Sequence, residues 1–272
     1  MGKIVAAGCT SHAPQLGKEI TYSKVYAEQT KKIHDALYEL SKRIKEVNPD
    51  ALIIIAPDHL EAFFLDNFPM LNVVVDREAE AVIPSKGIMK FEVHYDLAKS
   101  ILFGLVEEGF DPSFSQHLRL PHAFYIPLIY MFKDYSIPIV PIHVNANVEP
   151  KMPPWRCYEL GKALARIISK KRPENERVAI VGTGGLSHYP GTPYYGKVDV
   201  KFDDYVLETL RAGRGEELAK LSPYQLEETG NIELRTWIVV TGAIGNVPAE
   251  VIERQVTYHI DYAVVYFLLN KK

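Results

Sequence analysis

The run Ala51-Leu-Ile-Ile-Ile-Ala56 is apolar at every position, and it is bounded by Asn48-Pro49-Asp50 on one side and Pro57-Asp58 on the other. A strand with one face in water alternates apolar and polar residues; a short run with no polar position reads as a strand covered on both faces, which requires helices above and below the sheet. The rest of the chain supplies them. From Tyr22 to Val47 the apolar residues Val25, Ile33, Leu37, Leu40, Ile44 and Val47 recur at spacings of three, four and seven, as on one face of a long amphipathic helix. Further helices are expected at Asp96–Glu108, Ala123–Tyr130 and Trp155–Lys170, and further strands at Ile4–Gly8, Asn72–Val75, Ile137–His143 and Val178–Val181. The tail Gln255–Tyr266 alternates like a terminal strand. No Gly/Ser-rich or Pro-rich linker and no internal repeat divides the sequence. The expectation is an α/β fold: a single three-layer α/β/α domain over residues 1–272 with a central mostly parallel or mixed sheet.

Composition narrows the function classes. With 47% hydrophobic and 24% charged residues the chain can bury a large core, and a formal net charge of −3 gives no electrostatic case for nucleic acid or an anionic membrane. The basic runs Lys31-Lys32 and Lys170-Lys171-Arg172 are short enough to be solvated helix ends. The start lacks the apolar region and cleavage site of a signal peptide and no apolar run is long enough to span a bilayer, so the cytoplasm is the expected location. Two cysteines, Cys9 and Cys157, make neither a disulfide framework nor a four-thiolate zinc site and are expected to be packed thiols.

Five histidines, His12, His59, His122, His143 and His188, follow apolar runs where strands of such a sheet would end. Open α/β sheets bind ligands beyond the carboxyl ends of their strands, which puts His12, His59 and His188 on one rim although they are far apart in sequence. One histidine after a strand is more often a capping or hydrogen-bonding residue than a ligand; three at equivalent positions make coincidence less attractive. An acidic partner is offered by Asn231-Ile-Glu-Leu-Arg-Thr-Trp: in a helix, Glu233 shares a face with Trp237 and Val240 and is carried toward the core, where a charge needs a partner. The plain alternative is an exposed first-turn glutamate favoured by the helix dipole. Two histidines and one carboxylate with open positions form the facial triad used by non-haem Fe(II) oxygenases.

Thr10-Ser-His-Ala-Pro14, Asp58-His-Leu-Glu-Ala-Phe-Phe-Leu-Asp-Asn-Phe-Pro69, His122 before Ile126-Pro-Leu128, Gly182-Thr-Gly-Gly-Leu-Ser-His188, and Glu233 before Trp237 and Gly242-Ala243 resemble, in order, the signatures of the class III extradiol ring-cleavage dioxygenases of the protocatechuate-type catalytic subunit family. The resemblance runs from the first strand to the last helix. It implies that His12, His59 and Glu233 bind Fe(II), that His188 is the acid/base residue and that His122 is a second catalytic histidine, opening a catecholic or 2-aminophenolic ring with O2. It also implies dimers or larger assemblies and, in some family members, a small second subunit that closes the pocket. Pro121 stands where many relatives place an acidic residue, which leaves the orientation of His122 unassigned.

Around this set, Tyr189, Tyr194 and Phe64 are candidates for contacting a flat substrate, although Phe63 and Phe64 read more readily as core and the stretch Tyr189–Tyr195 equally as a rigid loop. Asp58 reads as the N-cap of a following helix more readily than as a residue orienting His59. His143 could reach the rim; His34, His94, His117 and His259 read as structural or exposed. Two other functions use the same residues: a zinc- or manganese-dependent hydrolase, since the ligand set alone does not fix the metal, and a non-enzymatic binding protein on the same scaffold. Keeping three ligands and His188 together speaks against the last.

Overall fold

The strands, in chain order, are β1 (Lys3–Ser11), β2 (Ala51–Ala56), β3 (Leu71–Val74), β4 (Glu78–Ile83), β5 (Gly87–Glu92), β6 (Ser113–Ser115), β7 (Ile139–Val144), β8 (Arg177–Gly184), β9 (Ala249–Val256) and β10 (Asp261–Phe267). The helices are α1 (Lys24–Glu46), α2 (Tyr95–Glu107), α3 (His122–Met131), α4 (Pro154–Lys171), α5 (Val200–Arg211), α6 (Pro223–Glu228) and α7 (Leu234–Ile244). The computed structural model describes residues 1–84, 86–132 and 137–269. All six residues of β2 are buried. It lies between β7 and β8, parallel to both, and β8 is parallel to β1. The full order is β6-β3-β7-β2-β8-β1-β10-β9, with β3 antiparallel to β7, and β10 antiparallel to β1 and β9. The sheet is therefore mixed around a parallel centre, as the all-apolar runs require. Strands β4 and β5 form a separate hairpin.

Helices α1 and α3 pack together on one side of the sheet, and α2, α4 and α7 on the other. Helix α1 opens on Ser23, whose hydroxyl accepts from Tyr26 N at 3.3 Å, and buries Ile33, Leu37, Leu40 and Ile44. Val25, assigned to that stripe by spacing, is exposed in the first turn. Helix α4 starts on Pro154, a residue suited to a first turn whose amide needs no partner. Its contact with α7 depends on small residues. A Cβ on Gly161 would stand 2.0 Å from Val239 O, and one on Gly242 2.1 Å from Tyr158 O. Across the seam, the fully buried Trp237 donates from Nε1 to Thr10 O at 3.4 Å and ties α7 to β1. Both cysteines are free and buried. Among the described residues no helix is long and apolar enough to cross a membrane.

Three expectations change. Strand β7 continues to Val144, so His143 lies inside the strand, opposite Ala56, and not past its end. His122 opens α3 instead of following a strand. The C-terminal segment is two antiparallel strands turned at 257–260, where Thr257 N donates to Ile260 O at 2.9 Å; β10 lies between β1 and β9 in the sheet, packs against α1 and is buried along most of its length.

If the α4–α7 seam sets the helix spacing, Gly161→Val should lower stability by about 3 kcal/mol through overpacking against backbone, read as a reduced urea midpoint. A midpoint unchanged from the parent would show that the helices have slack there.

Candidate active site

Because β1, β2 and β8 are parallel, their carboxyl ends lie at one rim, with Ser11 paired to Gly184 across the β1–β8 register. His12 follows Ser11 directly, His59 comes three residues after the end of β2, and His188 four residues after the end of β8. Glu233 precedes α7, whose first turn rests on the end of β8. Thr236 Oγ1 donates to Thr183 O at 2.9 Å, and a Cβ on Gly184 would come within 2.4 Å of Glu233 O. The glycine therefore lets the carboxylate-bearing backbone approach the strand end.

The Glu233 side chain is 1% exposed, and three imidazoles surround it. Its Oε1 is 2.7 Å from His59 Nε2; its Oε2 is 3.3 Å from His12 Nε2 and 3.4 Å from His188 Nε2. Asn147 Nδ2 donates to Asp58 O at 3.0 Å and reaches Glu233 Oε1 at 3.4 Å. His122 stacks obliquely on His59, ring centroids 4.5 Å apart, and its Nδ1 meets the Glu61 carboxylate, which also accepts from His122 N at 2.9 Å. Burial alone would raise the Glu233 pKa, but the neighbouring His12, His188 and His59 outweigh it and hold the carboxyl well below its usual range. Burial pushes His12 down to about 4 in spite of Glu233. For His188 burial acts downward too, yet the nearby Glu233 carboxylate and the hydrogen bond to Leu186 O leave it raised.

The donor set suits a cation. Glu233 Oε2 is buried without a hydrogen bond, and a neutral His12 presents a lone pair. Two ligands bound at about 2.1 Å and at right angles stand about 3 Å apart, and the carboxylate oxygens stand 2.7 and 3.3 Å from His59 and His12. His12, His59 and His122 also bring one nitrogen each within 4.8 Å of one another; the carboxylate is the closer third donor.

These side chains line a cavity of about 150 Å³, closed further by Pro14, Gln15, Pro190, Tyr195, His259 and Ile260. A wider hollow of about 480 Å³ adjoins it through His59, His188 and Pro190. The structure thus brings together His12, His59, His122, His188 and Glu233. It does not bring Phe64 or Tyr194 to the cavity: Phe64 is 56% exposed, contrary to the core reading as well, and Tyr194 is exposed against Tyr189. Tyr189 lines the outer hollow with its hydroxyl committed to Glu228 O at 2.7 Å. Phe63 is half-buried against Phe68 and His143, whose Nε2 pairs with Pro69 O. Asp58 caps a turn instead of a helix, accepting from the amides of Glu61, Ala62 and Phe63.

Sequence reasoning did not find His259, Glu61 or Asn147, and it reached Tyr195 only as part of the stretch Tyr189–Tyr195, of which Tyr195 lines the cavity. His259 is buried, not exposed, and comes to the cavity from the turn between β9 and β10. Glu61, an acidic residue two positions after His59, was the signal available: it supplies from another segment the carboxylate that Pro121 cannot offer to His122.

His188 is held by its neighbour. Ser187 donates through N and Oγ to Asp203 at 3.0 and 2.5 Å, and its Oγ accepts from Asp199 N at 2.8 Å. Burial, helped by Asp261 and opposed by the Ser187 hydrogen bonds, pushes Asp203 up to about 7. A carboxyl whose folded pKa lies above its unfolded value of about 3.9 makes the native state bind the extra proton between roughly pH 4 and 7, so its contribution to stability is lost as pH rises through that window. Asp203→Asn should therefore flatten the fall of the urea midpoint between pH 4 and 7 relative to the parent; identical slopes would contradict the assignment.

Comparison with known proteins places this geometry in context. The family model described as the catalytic LigB subunit of aromatic ring-opening dioxygenase matches residues 6–269. A 2,3-dihydroxyphenylpropionate/2,3-dihydroxicinnamic acid 1,2-dioxygenase of Photorhabdus laumondii is 31% identical over 208 residues, 76% of this chain and 62% of that protein. Its Pseudomonas putida counterpart is 31% identical over 206 residues, 75% and 62% of the two chains. This chain thus spans about three fifths of the length of the curated relatives it matches. An uncharacterized Escherichia coli K12 protein of solved structure superposes with a TM-score of 0.58 at 15% identity, covering 96% of this chain and 98% of its own, a likeness of fold.

Proposed function

This chain belongs to the family of aromatic ring-opening dioxygenase catalytic subunits whose model spans it, and on that premise we propose that it is a non-haem Fe(II)-dependent extradiol dioxygenase opening a catecholic or 2-aminophenolic ring with O2. The single observation that carries the reading is the buried Glu233 carboxylate between His12, His59 and His188 at the wall of a cavity the size of one ring. His12, His59 and Glu233 would hold the iron, which when bound would supply Lewis acidity toward the ring hydroxyls and the activation of O2.

The protein's own groups handle protons and position. His188 donates from Nδ1 to Leu186 O at 3.0 Å, which leaves Nε2 as the base toward the cavity. It takes a proton from a ring hydroxyl on binding and returns one on ring opening. His122, fixed through Nδ1 by Glu61, offers its Nε2 as a second proton carrier beside the ring. The whole of residues 1–272 serves as one catalytic domain, in which both atoms of O2 enter the product.

On iron-reconstituted protein, an oxygen electrode should register uptake with catechols and formation of a yellow ring-opened product. His12→Ala and Glu233→Ala should lose bound iron, whereas His188→Gln should keep it and lose roughly 10²-fold or more in kcat. Iron content measured beside rate decides: loss of iron from the His188 variant with retention in the other two, or metal-dependent ester cleavage without oxygen use, would overturn the assignment.

A further inference from the structure

We propose that the ring accepted here carries no anionic substituent: the substrate is an uncharged catechol or aminophenol whose substituent meets neutral hydrogen-bonding groups. The inference rests on the ring-cleavage reading above and specifies its substrate class.

Three observations carry it. The inner cavity, about 150 Å³, is of the size that holds a benzene ring, so ring and small substituents fill it. With the oxygen-bearing edge against Glu233 and the imidazoles around it, the rest of the ring faces Pro14, Gln15, Pro190, Tyr195, His259 and Ile260. Among the described residues lining the cavity there is no lysine or arginine. His259 is the one titratable nitrogen base in that remaining wall, and it is neutral: burial and the nearby His188 push its pKa down to about 4. Its Nε2 is buried without a hydrogen-bond partner, so this part of the wall is polar but uncharged.

A longer substituent would leave through the outer hollow, and the charge there is already matched. Lys151 is bound by Glu227 at 2.6 Å and by Glu149 at 3.1 Å. The Asp58 carboxylate lines the same hollow, committed to three backbone amides. An incoming carboxylate would face two acidic groups, or would have to break the Lys151–Glu227 pair and strand Glu227. A carboxylate taken out of water without a cation loses hydration that neutral groups do not replace, whereas the smaller loss of a hydroxyl or ring amino group is made good by one hydrogen bond to a neutral partner, and a methyl group gives up no hydrogen bond at all.

The test is equilibrium binding by calorimetry, without oxygen, to the iron-loaded full chain. The probes are catechol and 4-methylcatechol against 3,4-dihydroxybenzoate and 3-(2,3-dihydroxyphenyl)propionate. The uncharged pair should bind about tenfold tighter or better, and the same order should appear in kcat/KM once oxygen is admitted. Carboxylated rings binding as tightly as the uncharged pair would overturn the proposal whether or not any ring is cleaved. If the order holds and no probe consumes oxygen, the substrate class stands and the ring-cleavage reading fails. Gln15→Arg places a cation on the half-buried wall and should narrow the binding ratio by about tenfold; a ratio unmoved by that charge would count against a wall that selects by charge.

Discussion

An ionised carboxylate in a protein interior is tolerated only when something replaces the water it has lost, and Glu233 is such a carboxylate, buried to within 1% of its surface. The replacement here consists of nitrogen atoms from three distant segments, at residues 12, 59 and 188, together with Asn147. None of the three histidines is near another in sequence. The sheet assembles them, because β1, β2 and β8 run the same way and stop at the same height. Removing one member of such a group leaves the others with an unmatched charge or an unmatched lone pair, so the site is a single electrostatic unit and not a collection of separable contacts.

The supports around that unit follow from the same need. The first turn of α7 can bring Glu233 to the strand end because Gly184 has no side chain there, and α7 can lie close to α4 because Gly161 and Gly242 have none either. Asp203 clamps Ser187 and so fixes the residue after it. Glu61 fixes His122 in the same way. Each of these two histidines, at the cavity wall, therefore has one ring nitrogen or one neighbouring residue tied to the frame.

Much of this is legible in the sequence. Ala51–Ala56 announced a doubly covered strand because it has no polar position, and the parallel centre of the sheet followed. His12, His59 and His188 can be placed on one rim because each stands after such a run, and helical spacing puts Glu233 in line with Trp237, although Glu233 caps α7 from outside and the helix is buried at every position from Leu234 to Ala243. Elsewhere local pattern was insufficient. His143 sits in an apolar run that continues one residue further, to Val144, and a boundary shift of that size moves a side chain from the rim into the sheet. The residues 255–266 look like one alternating strand, yet Thr257 and Ile260 turn the chain back, and only the placement of β10 beside β1 brings His259 to the cavity. Phe64 and Tyr194 belong to loops whose path no periodicity encodes, and Glu61 meets His122 across 61 positions of sequence.

The most direct measurement of the central claim is a crystal structure of the iron-loaded protein with anomalous data collected at the iron edge. The account predicts one iron peak with His12 Nε2, His59 Nε2 and a Glu233 oxygen at about 2.1 Å and with His188 outside that distance. A peak held by His12, His59 and His122 with Glu233 unengaged, or one elsewhere in the molecule, would contradict it.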